Sequence, residues 1–157
     1  SGFYLYLNTN KRGIAVDLER PEGHEILTRL ARDADVIIHN VAPRDIASHG
    51  LDAATLRASN PRLVVTSISP FGLDGPNRDL RMHDVNLWAG GGAAAHAGGG
   101  PGRDDMPPLK GFGHQAGFQA GLNAAVASLA LACAVWVSLV LLGASAFRVK
   151  VAEPRTG

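Results

Sequence analysis

Along the first 70 residues, segments with the apolar pattern of a β-strand are followed in turn by segments with helical spacing of apolar residues. This order predicts strands separated by helices. Residues 14–18 alternate as in a half-buried strand, whereas 36–38 and 63–68 are short β-rich runs typical of strands buried in a parallel sheet. Apolar residues recur at helical spacing over 21–32, and a second helix is expected over 51–59. Strand, helix, strand, helix, strand with short connections predicts an α/β fold with a parallel sheet.

Local signals mark the ends of the two helices. Pro21 suits a first helical turn, where its missing N–H costs nothing. Asp52 is placed to cap the second helix, with Leu51 packing on Leu56, and Asn60-Pro61 ends it. These signals predict two helices that cover the sheet.

The second half of the chain has a different character. Glycine and alanine dominate 88–102, which predicts a Gly-rich, mobile loop over about 90–102. A long helix is expected to begin near Gly113-His114 and to run at least to Ala132. No Asp, Glu, Lys or Arg lies between 111 and 147, and 129–147 is almost purely apolar. That length fits a membrane span over 129–147. The competing interpretation, which we favour, is a long buried helix rich in alanine and glycine.

Composition narrows the possible functions. The 157 residues suffice for one domain with a core. The net charge of +1, with both signs interspersed, gives no basic stripe for nucleic acid. Cys133 is the single cysteine, so we expect no disulfide framework and no cysteine metal site. The N-terminus lacks the opening of a signal peptide, and a reducing, cytoplasmic location is expected.

The most chemically suggestive stretch follows the third predicted strand. Two tight turns around Gly72 and Gly75 lead to Arg81, His83 and Asp84, where a short helix is expected to begin. Open α/β sheets usually bind ligands at the carboxyl ends of their strands. The plainer alternative is a polar connection between a strand and a surface helix.

A series of short motifs gives the chain a family resemblance. The motifs are Asn8-Thr9-Asn10-Lys11-Arg12-Gly13-Ile14-Ala15-Val16-Asp17-Leu18 with Pro21-Glu22-Gly23, Ala34 to Asn40 with Pro43, Gly50-Leu51, Leu56, Asn60 to Val64, Ser67 to Gly72 with Gly75-Pro76, His83-Asp84, Pro107-Pro108-Leu109 and Gly113 to Ala116. Together, over about 3–132, they resemble the class III CoA-transferases, the superfamily of formyl-CoA transferase, carnitine CoA-transferase and α-methylacyl-CoA racemase. After Ala132 no family pattern is evident.

The resemblance implies a fold and an arrangement of domains. Residues 1–112 are expected to be part of a Rossmann-like, CoA-binding large domain, 113–147 a long apolar helix and 148–157 a tail. Family members form dimers in which two chains interlock as rings, so a homo- or heterodimer is expected. The chain looks like an internal piece of a longer enzyme.

The resemblance also implies a coenzyme A site. By position, its candidate residues are Val16, Asn40, Val41 and Arg81. Arg81 is suited to a CoA phosphate, since a cation there gains charge-assisted hydrogen bonds. The alternatives are a solvated surface charge for Arg81 and a turn residue that bonds its own backbone for Asn40.

Three residues are candidates for catalysis. His83 lies where racemase-like members carry a histidine that acts as acid and base on the α-carbon of an acyl-CoA, and Asp84 adjoins it. His114 occupies the position at which the transferases carry an aspartate that forms a mixed anhydride. Because the chain departs from the family there, three alternatives remain. His114 is a proton-transfer base paired with His83, or the chain is a non-catalytic subunit of a heteromeric transferase, or the chain binds CoA thioesters without turning them over.

The expected function is therefore chemistry on CoA thioesters. The chain resembles enzymes that transfer CoA between carboxylic acids or epimerise an acyl-CoA, with acyl-CoA and a carboxylic acid as partners and no metal. The alternatives are a non-catalytic CoA-binding subunit and a truncated or membrane-anchored fragment. His83 and His114 are expected to face one cleft lined by Asn40 and Arg81. The free N–H groups at the start of the long helix would favour an anion in front of it.

Overall fold

The computed structural model describes residues 2–98, 102, 105–107 and 109–141. The elements follow in the order α1 (Gly2–Leu7), α2 (Pro21–Asp33), β1 (Val36–His39), a single 3₁₀ turn (Pro43–Asp45), α3 (Ala53–Ser59), β2 (Val64–Ser67), α4 (Asp84–Gly90), α5 (Ala93–Ala97) and α6 (Gln115–Leu141). The predicted fold class is confirmed: parallel strands with flanking helices, followed by a long apolar helix.

The sheet in the described residues has two parallel strands. β1 pairs with β2 from Val36 opposite Val64 to His39 opposite Ser67. Parallel strands need a crossover, and here the chain crosses through α3. Both strands therefore end at the same edge, from which the chain enters its two polar connections.

The predicted strand over 14–18 is wrong. No ladder pairs these residues within the described chain, and Ile14 is 68% exposed. Instead the segment packs against the start of α2, where a Cβ added to Gly23 would collide with the backbone carbonyl of Asp17 and approach Val16 Cγ1 to 3.3 Å. Leu18 reaches the core from this position. The alternation of residues therefore reflects packing on a helix rather than pairing in a sheet.

The core lies between the sheet and the helices α2 and α3. Its buried members come from α2, α3 and the segments around them: Ala31, Ile46, Leu51, Leu56 and Leu63. Ile37 of β1 and Val65 of β2 pack against this cluster from the sheet. Both predicted helices are confirmed, since α2 begins at Pro21 and α3 ends at Ser59.

Two polar side chains fix the ends of these helices. The side chain of Asp52 caps α3 by accepting a hydrogen bond from the backbone N–H of Thr55 at 2.9 Å, as predicted. Asn60 is buried, and its Nδ2 donates to the carbonyl oxygens of Ala31 at 3.0 Å and Ala34 at 2.8 Å. The amide thus satisfies carbonyls that the last turn of α2 leaves without partners.

The prediction of a loop over 88–102 is only partly correct. α4 continues to Gly90, and a second short helix, α5, occupies Ala93–Ala97. Gly92 separates the two with φ of +81°, a conformation that glycine adopts without strain. Runs of alanine support helix even between glycines, which explains the difference. Residues 99–101 of the predicted loop lie outside the described residues.

The long helix α6 confirms the expected element and crosses the other side of the sheet. It contacts both strands, and Ser128 of α6 is buried and lies 2.7 Å from Thr66 of β2, measured between hydroxyl oxygens. Residues 115–135 are apolar, with a mean hydropathy of 1.6, and few of them are buried, so by length and composition the helix is able to cross a membrane. The expected helix end at 147 and the tail at 148–157 lie outside the described residues.

Candidate functional site

A cleft of about 310 Å³ opens at the edge where both strands end. The segment after β1 forms one wall, and the segment after β2 forms the other and continues to the start of α4. Its lining residues are Asn40, Val41, Ala42, Pro43, Arg44, Ile68, Ser69, Pro70, Arg78, Asp79, Leu80, Arg81, Met82 and His83. The parallel ladder creates the cleft, because it delivers both polar connections to one side of the sheet.

Four of the seven predicted site residues line this cleft together. Asn40 and Val41 follow β1 directly, and Arg81 and His83 lie on the opposite wall. The side chains of Asn40, Arg81 and His83 are exposed, and that of Val41 is half-buried. The structure therefore brings together a carboxamide, a guanidinium and an imidazole in a concave site.

Positive charge dominates the polar lining of the cleft. Arg44 pairs with Asp45 at 3.6 Å and Arg78 with Asp79 at 3.2 Å, measured from Nε to Oδ2. Within the described residues, Arg81 has no carboxylate oxygen within 4.0 Å. A cation left without a counter-ion in a concave surface favours an anionic ligand, and a guanidinium binds phosphate or carboxylate with two parallel hydrogen bonds.

His83 stands at the beginning of α4, as predicted. Its backbone N–H donates to Oδ1 of Asn86 at 3.3 Å, while its carbonyl oxygen accepts the backbone N–H of Leu87 at 3.1 Å. The backbone of His83 is thus held by the first turn of the helix, and the residue lines the cleft.

Asp84 is half-buried and reaches a different helix. Its Oδ1 accepts a hydrogen bond from the backbone N–H of Gly117 in the first turn of α6 at 2.9 Å. The carboxylate is not among the groups that line the cleft. α4 and α6 are therefore joined at their N-terminal ends.

His114 immediately precedes α6, also as predicted, but it is not among the residues that line the cleft. Its carbonyl oxygen accepts the backbone N–H of Phe118 at 2.9 Å, and its exposed imidazole lies 6.1 Å from the ring of Phe3, measured between centroids. The expectation that His83 and His114 face one cleft is thus met only by His83. The two residues belong to helices that Asp84 ties together.

Two further hydrogen bonds hold the segment that precedes α6. Trp88 of α4 donates from Nε1 to the carbonyl oxygen of Leu109 at 3.0 Å, and the backbone N–H of Leu109 donates to the carbonyl oxygen of Ala94 in α5 at 3.3 Å. The segment before His114 is therefore fixed on α4 and α5.

Val16 lies apart from the cleft. It packs at the start of α2, beside Gly23, and is half-buried. Its role in binding coenzyme A stays a prediction.

Sequence reasoning missed two arginines of the cleft and a side-chain contact between His39 and Ser67 at the strand ends. Arg44 and Arg78 line the cleft, and their positions shortly after the two strands were the available signal. His39 and Ser67 end the two strands, with Nε2 of His39 2.7 Å from Oγ of Ser67 and Nδ1 of His39 buried without a partner in the described residues. Nothing in the sequence pattern distinguishes this histidine from a turn residue.

Comparison with known proteins identifies relatives of the chain. The family model described as CoA-transferase family III matches residues 1–135. A succinate–glutarate CoA-transferase of Agrobacterium fabrum is 42% identical over 84 residues, which cover 54% of this chain and 21% of that protein. A formyl-CoA:oxalate CoA-transferase of Bradyrhizobium sp. is 35% identical over 109 residues, covering 69% of this chain and 25% of that protein.

Solved structures agree with this relationship. The crystal structure of a CaiB/BaiF family protein from Brucella suis superposes with a TM-score of 0.70 and 30% identity, covering 87% of this chain and 34% of that chain. The chain thus spans about a quarter of the length of the curated relatives and a third of that structure.

Proposed function

This chain belongs to CoA-transferase family III, and on that premise we propose that the whole protein binds an acyl-CoA and transfers its CoA to a carboxylic acid. The observation on which the proposal rests is the cleft at the strand ends, where Asn40, Val41, Arg81 and His83 meet. Its volume of about 310 Å³ fits part of a large cofactor. Both kinds of curated relative are CoA-transferases by name.

Coenzyme A carries phosphate groups, and the lining of the cleft suits them. We assign Arg81 to a phosphate, because its guanidinium has no carboxylate partner in the described residues. The carboxamide of Asn40 supplies a donor and an acceptor, and Val41 supplies apolar contact next to it. Val16 is assigned to the same cofactor from the family resemblance alone.

The acyl group is assigned to the side of the cleft where α4 begins. Transfer requires that the thioester bond to CoA breaks, that the acyl group is held, and that an incoming carboxylate receives CoA. His114 stands where the resembling transferases carry an aspartate. In this proposal, its imidazole attacks the thioester carbon, which forms an acyl-imidazole and releases the CoA thiolate. The incoming carboxylate then attacks the acyl-imidazole to give a mixed anhydride and free the imidazole. The CoA thiolate attacks the anhydride at the carbon of the incoming acid, and the original acyl group leaves as a carboxylate. An acyl-imidazole is more labile than the usual intermediate, which predicts leakage to hydrolysis.

Proton exchange at the α-carbon is a second candidate, and the exposed imidazole of His83 in the cleft favours it. A neutral imidazole removes the α-proton of an acyl-CoA to leave an enolate, and the return of a proton to either face completes epimerisation. Incubation of the whole protein with a branched acyl-CoA in heavy water separates the candidates. Deuterium at the α-carbon supports proton exchange, CoA appearing on an added carboxylate supports transfer, and neither result with intact CoA binding supports a non-catalytic subunit.

Binding of CoA tests the cleft itself. Arg81→Gln should weaken binding about tenfold or more, because it removes a charge-assisted contact of roughly 1.5–3 kcal/mol. Arg29→Gln on the exposed face of α2 is the matched control and should bind as the parent does. Titration calorimetry with CoA at fixed salt measures both. Equal affinity of the Arg81 variant and the parent would remove this cleft from the proposal.

The expected location and assembly belong to the same proposal. We place the protein in the cytoplasm as a dimer, on the family resemblance and on the sequence composition. Fractionation with carbonate extraction tests the location, since α6 is apolar enough to cross a membrane. Recovery in the membrane pellet after extraction would contradict the placement.

A further inference from the structure

The contact between Asp84 and Gly117 is a feature that neither candidate reaction uses. It joins residues that lie 33 positions apart, and it is a charge-assisted hydrogen bond of 2.9 Å from a backbone N–H to a carboxylate. The first N–H groups of an α-helix have no partner within the helix, and Gly117 is the third residue of α6. Asp84 therefore caps α6 from outside, across the boundary between two helices.

The charge of Asp84 suits this place. α6 is 27 residues long, and its dipole presents partial positive charge at the end that Asp84 meets. An anion was expected in front of this helix from the sequence, and the structure supplies one from within the chain. The carboxylate occupies the N–H of Gly117, so that group is not available to an oxyanion of the substrate.

We propose that Asp84 is a positioning residue, which holds His83 and His114 at a fixed separation by tying α4 to the first turn of α6. His83 directly precedes Asp84 in the chain, and His114 lies three residues before Gly117. Any movement of one helix start relative to the other must break or stretch the bond between Asp84 and Gly117. The inference rests on the proposed function, which assigns His114 to CoA transfer and His83 to proton exchange.

The hydrogen bonds made by Trp88 and Leu109 limit the effect that loss of Asp84 is expected to have. Trp88 and Leu109 already fix the approach to α6 on α4 and α5, one helical turn and a short segment away from the histidines. Without Asp84, the first turn of α6 would still lie near α4 but would lose the contact made by the residue after His83 with the residue three positions after His114. The expected loss is therefore in the rate of the chemical step rather than in folding or in CoA binding.

Two substitutions of Asp84 separate positioning from proton transfer. Asp84→Asn keeps an oxygen acceptor for the N–H of Gly117, whereas Asp84→Ala removes it. We expect kcat of the Asn variant within about threefold of the parent and kcat of the Ala variant lower by about tenfold or more, as for a lost hydrogen bond to a charged group. KM for the acyl-CoA should change by less than about twofold in both, since Asp84 does not line the cleft.

Substitutions of Gly117 test the same bond from its other side. Gly117→Pro removes the N–H without breaking a bond within the helix, because proline is tolerated in a first turn. Gly117→Ala is its matched control: an added Cβ lies 3.7 Å from Oδ1 of Asp84, an ordinary contact, and the N–H remains. The Pro variant should lower kcat as Asp84→Ala does, and the double variant should be no slower than either single variant. Asp74→Ala, in the exposed loop before α4, should leave kcat unchanged.

Other outcomes would overturn the proposal. An Asn variant as slow as the Ala variant, with Gly117→Pro as fast as the parent, would make Asp84 a proton-transfer group instead. If the losses of kcat in Asp84→Ala and Gly117→Pro add up in the double variant, the two residues act independently, and the proposed contact does not carry the effect. If the parent has neither transferase nor proton-exchange activity, the proposed function fails, and hydrogen exchange of the Gly117 amide still decides the contact. That amide should exchange slowly in the parent and about tenfold or more faster in Asp84→Ala, and equal rates would exclude the cap.

Discussion

His39 shows how a single buried side chain makes the stability of the fold depend on pH. It ends β1, its Nε2 lies 2.7 Å from Oγ of Ser67, and its Nδ1 is buried without a partner in the described residues. Burial lowers the pKa of His39 below its ordinary value of 6.5, because desolvation penalises the charged imidazole. Protonation would also place a second N–H donor where no acceptor is found.

This shift predicts a pH dependence of stability. The unfolded chain binds a proton at His39 below about pH 6.5, while the folded chain resists it, so the free energy of unfolding should fall as the pH is lowered through 6.5, until the folded chain is protonated as well. The slope from this one group is at most about 1.4 kcal/mol per pH unit. Denaturant titrations of the whole protein at several pH values measure it. His39→Gln should flatten the slope, and removal of the exposed His96 should not.

The capped helix α3 illustrates the scale of single elements. Asp52 accepts the backbone N–H of Thr55 at 2.9 Å, and hydrogen bonds from Thr55 lower the pKa of its carboxyl group. α3 has only seven residues, and one of them, Leu56, is buried in the core. A short helix depends strongly on its cap, because few backbone bonds hold it together.

Loss of this cap should be measurable. Asp52→Ala is expected to destabilise the protein by about 1 kcal/mol, since Ala leaves the N–H of Thr55 without its partner. Asp52→Asn keeps an acceptor and should cost only a few tenths of that. Chemical denaturation reports both, with Asp74→Ala as the control for loss of an exposed carboxylate. An Asp52→Ala variant as stable as the parent would mean that water replaces the cap at no cost.

Elements set by neighbouring residues were predictable from the sequence, and elements set by distant partners were not. The cap at Asp52 and the strand over 36–38 follow from signals within a few residues. The alternation over 14–18 gives the same signal as a strand, but pairing needs a partner that no local pattern reveals. The helix at Ala93–Ala97 was hidden by the glycines on either side of it.

The candidate site divides in the same way. Asn40, Val41, Arg81 and His83 were predicted from the family resemblance, and the shared edge at which parallel strands end explains why they lie together. The contact between Asp84 and Gly117 links different helices across 33 residues, and no spacing rule predicts it.

At the scale of the whole molecule, a hydrogen bond between the buried hydroxyl of Ser128 and the hydroxyl of the half-buried Thr66 joins α6 to the sheet. Ser128 donates to the carbonyl oxygen of Ala124 at 2.6 Å, which leaves its oxygen to accept from Thr66 at 2.7 Å. Ser128 is 2% exposed. The two hydroxyls lie on the face of the sheet opposite the core of α2 and α3, so they form a polar contact in the layer between the sheet and α6.

Removal of both hydroxyls should cost less than the sum of the two single removals. Ser128→Ala leaves the hydroxyl of Thr66 without its acceptor, so this single variant should lose about 1–3 kcal/mol. Thr66→Val removes one hydrogen bond and should cost less, about 1 kcal/mol. The double variant should be more stable than the sum of the two losses predicts, because no buried hydroxyl then lacks a partner. Thermal denaturation of all four proteins measures the coupling, and strict additivity would show that the two hydroxyls act separately.

The buried amide of Asn60 also affects how readily the protein undergoes deamidation. Asparagine loses ammonia when the backbone nitrogen of the next residue attacks its side-chain carbonyl, and residue 61 is proline, which has no N–H to give up. The same amide is held by carbonyl oxygens of Ala31, Arg32 and Ala34. Conversion to aspartate would point a carboxylate at three carbonyls and release the end of α2. The Asn60-Pro61 pair thus places a side chain on which the fold depends in a sequence that is slow to deamidate.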